Sequence, residues 1–260
     1  MKAPRYAVYH VPERGSALER LGSSLLGRDI HGVSLPAQPD LGGLTAEELF
    51  SLTRDARRYG LHATLKPPFF LQPGMTEHDL IDAAEAFTAA RRPLPLPALA
   101  VTRIGSFLAL TVHPRNDAEA EEAENVRILA REAVAFFDGF RAPPSEEELN
   151  RRRAKGLTLR QERYLWRWGY PYVFDEFRFH ITLTDSIRDP ILAAALEANL
   201  RLYLAPACKN NWIEAITVCR SDGEGNFTVL HRAPFPTGIS SALYAAQPAP
   251  HILSGKDSPA

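Results

Sequence analysis

The chain is expected to adopt an α+β fold, a duplicated two-lobe fold with antiparallel sheets facing a central cleft and helices on the outer faces. Three observations predict it. The string His-x-Thr-Leu occurs twice, as His62-Ala63-Thr64-Leu65 and His180-Ile181-Thr182-Leu183. Each copy opens the same order of elements (strand, helix, strand, turn, strand), over 61–113 and again over 178–233, a two-copy internal repeat and not a solenoid. The turns "GS" (105–106) and "SDGEG" (221–225) join neighbouring strands as hairpins, and antiparallel hairpins with helices on one face belong to α+β architectures.

The elements follow in order. "RYAVYHVP" (5–12) is rich in β-formers and stops at a proline, which predicts a first strand. Residues 16–27 suit a helix capped by Ser16, and 28–44, with three Gly and two Pro, read as loop. A helix over 45–60 is marked by Thr45, by Glu48 three residues later and by Gly60 at its end. The first motif strand covers 61–66 and is stopped by Pro67-Pro68; a helix over 77–91 follows, then strands over 97–104 and 107–113. Residues 117–140 predict a long helix, acidic early and basic late as the helix dipole favours. The charge run "PPSEEELNRRRAKG" reads as a solvated face and "WRWGYPYVFDEF" (166–177) as a packed aromatic stretch. The second motif strand covers 177–184, Asp189-Pro190 starts a helix through Tyr203, and strands cover 212–220 and 226–233. The organisation expected is one bilobal domain over 1–235, with inserts at about 28–60 and 142–175, and a partly disordered Pro/Ala/Ser-rich tail over 236–260.

Composition excludes several classes. The 260 residues carry a net charge of −1, so no global field draws nucleic acid to the surface. No apolar run is long enough to span a membrane and the N-terminus has no apolar signal core, which leads to the expectation of a cytoplasmic protein without membrane contact. Cys208 and Cys219 are too few for a disulfide framework and read as two reduced thiols. No GxxxxGK[ST] or GxGxxG string occurs, and no Ser or Cys has a recognisable nucleophile setting.

The doubled motif carries the chemistry. Alternation along a strand puts His62, Thr64 and Lys66 on one face, and Arg178, His180, Thr182 and Thr184 on one face of the second copy. A phosphodiester needs a base for water and an acid for the departing alkoxide, and two imidazoles titrating near neutrality serve both needs. Thr hydroxyls, Lys66 and Arg178 would hold the phosphoryl oxygens. One strand histidine alone is more often packing or surface; two in equivalent places are not explained by packing. The other six histidines lack the tetrad and read as structural, with His10 and His231 the nearest to exceptions. A metal is not expected, because Asp185 has the wrong strand parity and a hydrolytic zinc needs three clear ligands.

The strings "YGLHATLKPPF" and "RWGYPYVFDEFRFHITLT" resemble the 2H phosphoesterase superfamily, defined by two H-x-[ST] motifs, and within it the DUF1045 branch of phosphonate-metabolism proteins. The likeness covers residues 5–235. It implies metal-independent opening of a cyclic phosphate or small phosphodiester by two-histidine acid/base catalysis, without a cofactor. By matching position His62, His180, Thr64 and Thr182 become the catalytic residues. Lys66, Arg178, Tyr170 and Tyr172 are added as substrate-binding candidates from strand parity and from "WGYPYV". The partner expected is a small phosphorylated substrate such as a cyclic ribose phosphate or a nucleotide, with an RNA end less favoured. The rival is a non-catalytic sensor of a phosphoester or RNA end, which Arg or Lys would serve as well as His.

Overall fold

A computed structural model describes residues 3–32, 37–154 and 156–236. Four residues of the expected loop over 28–44, and all but the first residue of the expected tail, lie outside the described residues.

The architecture is α+β, built on one seven-stranded sheet. Its strands are β1 (Tyr6–His10), β2 (Ala63–Phe69), β4 (Leu99–Ile104), β5 (Phe107–Val112), β6 (His180–Thr182), β8 (Ala215–Ser221) and β9 (Phe227–Pro234), in the order β4-β5-β6-β2-β1-β8-β9. Two short strands, β3 (Leu94–Leu96) and β7 (Asn211–Ile213), pair separately. The expectation of two sheets facing across a cleft is corrected: both motif strands lie side by side at the middle of one sheet. The hairpin β4-β5 extends β6, and β8-β9 extends β1, so each flank mixes early and late segments. Hairpins are local and legible in sequence, but the strand that a hairpin joins is a long-range choice.

Helices α1 (Ala17–Leu26), α4 (Glu77–Thr88), α5 (Asp117–Phe136) and α8 (Pro190–Leu204) supply the apolar side chains that cover one face. Val8, Ala63, Leu110, Ile181, Ile216 and Val218 form the sheet side of this core, all fully or almost fully buried. β1 is central and buried along its whole length, which explains its near-continuous apolar sequence. The opposite face carries a smaller cluster of Ala7, Tyr9, Val11, Ile30, Cys219 and Phe227.

The expected helix over 45–60 is two helices, α2 (Ala46–Leu52) and α3 (Arg54–Tyr59). The break sits at Thr53, whose hydroxyl donates back to the Leu49 carbonyl (3.0 Å) and accepts from Gln38 Nε2 (3.0 Å). A buried side chain competing for backbone partners is a local helix-bending device. The charge run forms α6 (Glu146–Arg153), capped by Ser145, with three Glu in its first turn and three Arg in its last. The aromatic stretch begins in α7 (Leu159–Trp168), where Trp168 packs edge-on against Phe174 while Trp166 stays exposed. The second motif strand is only three residues long, against the eight expected.

Strand β2 runs through Pro67-Pro68 instead of ending there, because it is bulged. Thr64 pairs with Tyr9 and Lys66 with Val8, so Leu65 is an extra residue, and Phe69 pairs with Tyr6 after a second insertion. Prolines are tolerated at such irregular positions.

Candidate functional site

The site is set by one register. Ala63 of β2 lies opposite Ile181 of β6, antiparallel, and both side chains enter the helix-covered core. Their neighbours therefore point to the other face, with His62 beside Thr182 and Thr64 beside His180. The two motifs meet head to tail on one sheet surface.

Each imidazole is held in the same way. His62 Nδ1 donates to the Gly60 carbonyl at 2.9 Å, and His180 Nδ1 donates to the Arg178 carbonyl at 2.8 Å. A carbonyl only accepts, so Nδ1 of each ring carries a proton, and on His62 the Nε2 offers a lone pair. The Thr64 hydroxyl lies 3.2 Å from His62 Nε2 and donates to it. Gly60 makes the first arrangement sterically accessible: its φ is +70°, and a Cβ there would come within 2.6 Å of Ile30.

Aromatic rings frame the pair. Tyr9, fully buried, lies against His62 with ring centroids 3.9 Å apart and the rings tilted by 31°, and Tyr59 lies 6.2 Å from the same imidazole. Phe107 lies 6.1 Å from His180. A cavity of about 300 Å³ opens among Tyr59, His62, Phe107, Thr182, Thr184 and Asp185. Burial in this surround, with His180 nearby, lowers the His62 pKa to about 4 against the opposing effect of the Gly60 bond. His62 is thus neutral at pH 7.

Asp185 closes one end. Its carboxylate accepts from the backbone N–H groups of Asp55 (2.9 Å) and Ala56 (2.9 Å), and its own N–H donates to the Leu52 carbonyl (2.6 Å). The first insert is thereby tied to the end of the second motif strand, which holds Tyr59 and His62 opposite Thr182.

Of the expected site residues, His62, Thr64, His180 and Thr182 come together. Lys66 does not join them. The bulge at Leu65 turns it to the core face, where it is 1% exposed and bonds Asp138 (2.8 Å) and the Val134 carbonyl (3.0 Å). Asp138 also holds Arg141 (2.8 Å) and Arg167 (3.0 Å), so Lys66 belongs to a structural ion cluster. Arg178 is exposed and serves His180 through its carbonyl. Tyr170 and Tyr172 pack edge to face, 5.6 Å apart, and are not among the residues that line the cavity beside His62. Sequence reasoning missed Tyr9, Tyr59 and Phe107, and weighed Asp185 only as a metal ligand. Tyr59 adjoins the first motif, but the others reach the site only through strand pairing and insert docking. Among the described residues no group of three or more His, Cys, Asp or Glu is placed to share a metal ion, and no helix is long and apolar enough to cross a membrane.

The family described as "Protein of unknown function (DUF1045)" matches residues 64–228, more than half of the chain. The chain belongs to the DUF1045 family. Two curated relatives carry the name ribose 1,5-bisphosphate phosphokinase PhnN. One, from Janthinobacterium sp. (strain Marseille), is 39% identical over 236 residues, covering 89% of this chain and 51% of the relative. The other, from Laribacter hongkongensis, is 35% identical over 187 residues, covering 70% of this chain and 40% of the relative. This DUF1045 chain spans about half the length of the curated relatives it matches, or less.

These names correct the expected activity. The DUF1045 part of the resemblance stands, but relatives named as phosphokinases are phosphotransferases, which overturns the reading of a 2H-type hydrolase and cyclic phosphodiesterase.

Proposed function

We propose that the groove between His62 and His180 holds a ribose phosphate and prepares one of its hydroxyls to receive a phosphoryl group, the acceptor side of a phosphotransfer. The observation that carries this reading is the pair of imidazoles on one sheet face, each with Nδ1 bonded to a carbonyl, with the His62 Nε2 accepting from the Thr64 hydroxyl. Phosphoryl transfer asks mainly for positioning and for a group that takes the acceptor's proton. His62 is neutral and supplies that group. The Thr64 hydroxyl that donates to its Nε2 marks where a ligand hydroxyl would donate in turn. In the step, the ribosyl O–H proton passes to His62 Nε2, the oxygen–phosphorus bond forms, and the donor's P–O bond breaks with its electron pair leaving on the donor. Thr182 and His180, facing His62 and Thr64, donate to or accept from the remaining ligand oxygens. The names of the relatives support a ribose bisphosphate as the ligand class. The chain has no GxxxxGK[ST] string, so the reading assigns it the acceptor and leaves the phosphoryl donor to another element.

Isothermal titration with ribose 1,5-bisphosphate and ribose 5-phosphate tests the proposal. His62→Ala and His180→Ala should each weaken binding by about tenfold or more, with unchanged thermal melts. Wild-type affinity in both variants would show that the groove is not the ligand site.

A further inference from the structure

We propose that Asp185 is a specificity-determining residue of this groove, its carboxylate accepting from the sugar hydroxyl next to the one that faces His62. The inference rests on the ribose-phosphate reading and deepens it, because it names the part of the ligand that this end of the groove holds. Asp185 lines the same cavity of about 300 Å³ as His62 and Thr182, with the Tyr59 and Phe107 rings as walls. Among the described residues that line this cavity there is no lysine or arginine, and Asp55 adds a second carboxylate. Such a lining repels a phosphate and suits a neutral donor. In a ribose bisphosphate the neutral donors are the sugar hydroxyls.

The carboxylate is fixed but not saturated. Oδ1 accepts from the Ala56 N–H at 2.9 Å, and the Asp55 N–H is shared between Oδ2 at 2.9 Å and Oδ1 at 3.1 Å. Two N–H donors leave free sites on a group that takes about four hydrogen bonds. The residue is partly exposed and borders the cavity, so these sites are open to a ligand. Its backbone is held as well, through the N–H that donates to the Leu52 carbonyl at 2.6 Å. An acceptor positioned in this way adds little ordering cost when a ligand binds, and a hydrogen bond to an ionised oxygen is stronger than one to a neutral oxygen. A site built around a ligand hydroxyl rejects the analogue that lacks it.

The test compares three ligands in the full chain. Ribose 1,5-bisphosphate and its 2-deoxy and 3-deoxy analogues are titrated into wild type, Asp185→Asn and Asp185→Ala, with a thermal melt of each protein. Wild type should bind each deoxy analogue at least about tenfold more weakly than the parent. Asp185→Asn keeps an oxygen for the α3 N–H groups. It should bring one analogue to within about twofold of the parent and leave the discrimination against the other intact. Asp185→Ala should reproduce that pattern, and if it does not fold, Asp185→Asn alone decides. Equal weakening of all three ligands in a folded Asp185→Asn protein overturns the proposal and leaves the groove reading standing, with Asp185 as a cap of α3 and no more. A wild type that binds both analogues as tightly as the parent also overturns it. Failure of wild type to bind ribose 1,5-bisphosphate overturns the groove reading, and this assignment with it.

Discussion

Ala63 and Ile181 face one another as the ladder pair that joins β2 to β6, and this contact places His62 beside Thr182 and Thr64 beside His180. Every functional distance in the groove depends on that joint, so its packing should be felt in both stability and binding.

Ile181 is fully buried between the sheet and the helices. Ile181→Ala should cost about 2–5 kcal/mol in urea unfolding, through lost burial and the cavity left behind. Ribose-phosphate affinity should fall with it, although the residue points away from the groove. A full loss of stability with unchanged affinity would show that the joint does not set the site.

His62 should titrate far below an ordinary histidine. Its ring should stay neutral with the proton on Nδ1 through pH 5 and take up a second proton near pH 4. Nitrogen-15 imidazole spectra across pH 3–8 check this, and a midpoint near 6.5 would contradict the burial argument.

His10 sets an acid limit on stability. It is 2% exposed, both ring nitrogens are unpartnered, and burial lowers its pKa to about 3. The unfolded chain binds this proton near pH 6.5 and the folded chain does not, so stability is full above 6.5 and falls as pH drops towards 3. The shift corresponds to a loss of about 4 kcal/mol over that window. His10→Phe should flatten the acid limb of a pH series of urea melts while costing little at pH 7.

Lys66 and Asp138 should behave as structural residues. Asp138→Ala strands a buried ammonium and should destabilise by about 3–5 kcal/mol. Lys66→Met leaves Asp138 paired with Arg141 and Arg167, and should change stability less and ribose-phosphate affinity not at all. A tenfold loss of affinity in Lys66→Met would restore the lysine to the site.

Much of this was legible from residues alone because it is local. Caps at Ser16 and Thr45, the hairpin turns, and proline at the start of α8 all act within a few positions of themselves. The two His-Thr pairs were equally visible as a repeated string. What was hidden depends on partners far along the chain. Strand parity failed at Lys66 because the bulge exists only in the register with β1. Tyr9 became a neighbour of His62 only once β1 lay beside β2. The expected chemistry was overturned from outside the fold, by the phosphokinase names of the relatives.

The measurement that tests the central claim most directly is a nitrogen-15 imidazole spectrum of the protein titrated with ribose 1,5-bisphosphate. The account predicts that the Nε2 resonances of His62 and His180 move together and saturably, while the other histidines stay still. Unmoved His62 and His180 signals at saturating ligand, or shifts confined to other histidines, would contradict it.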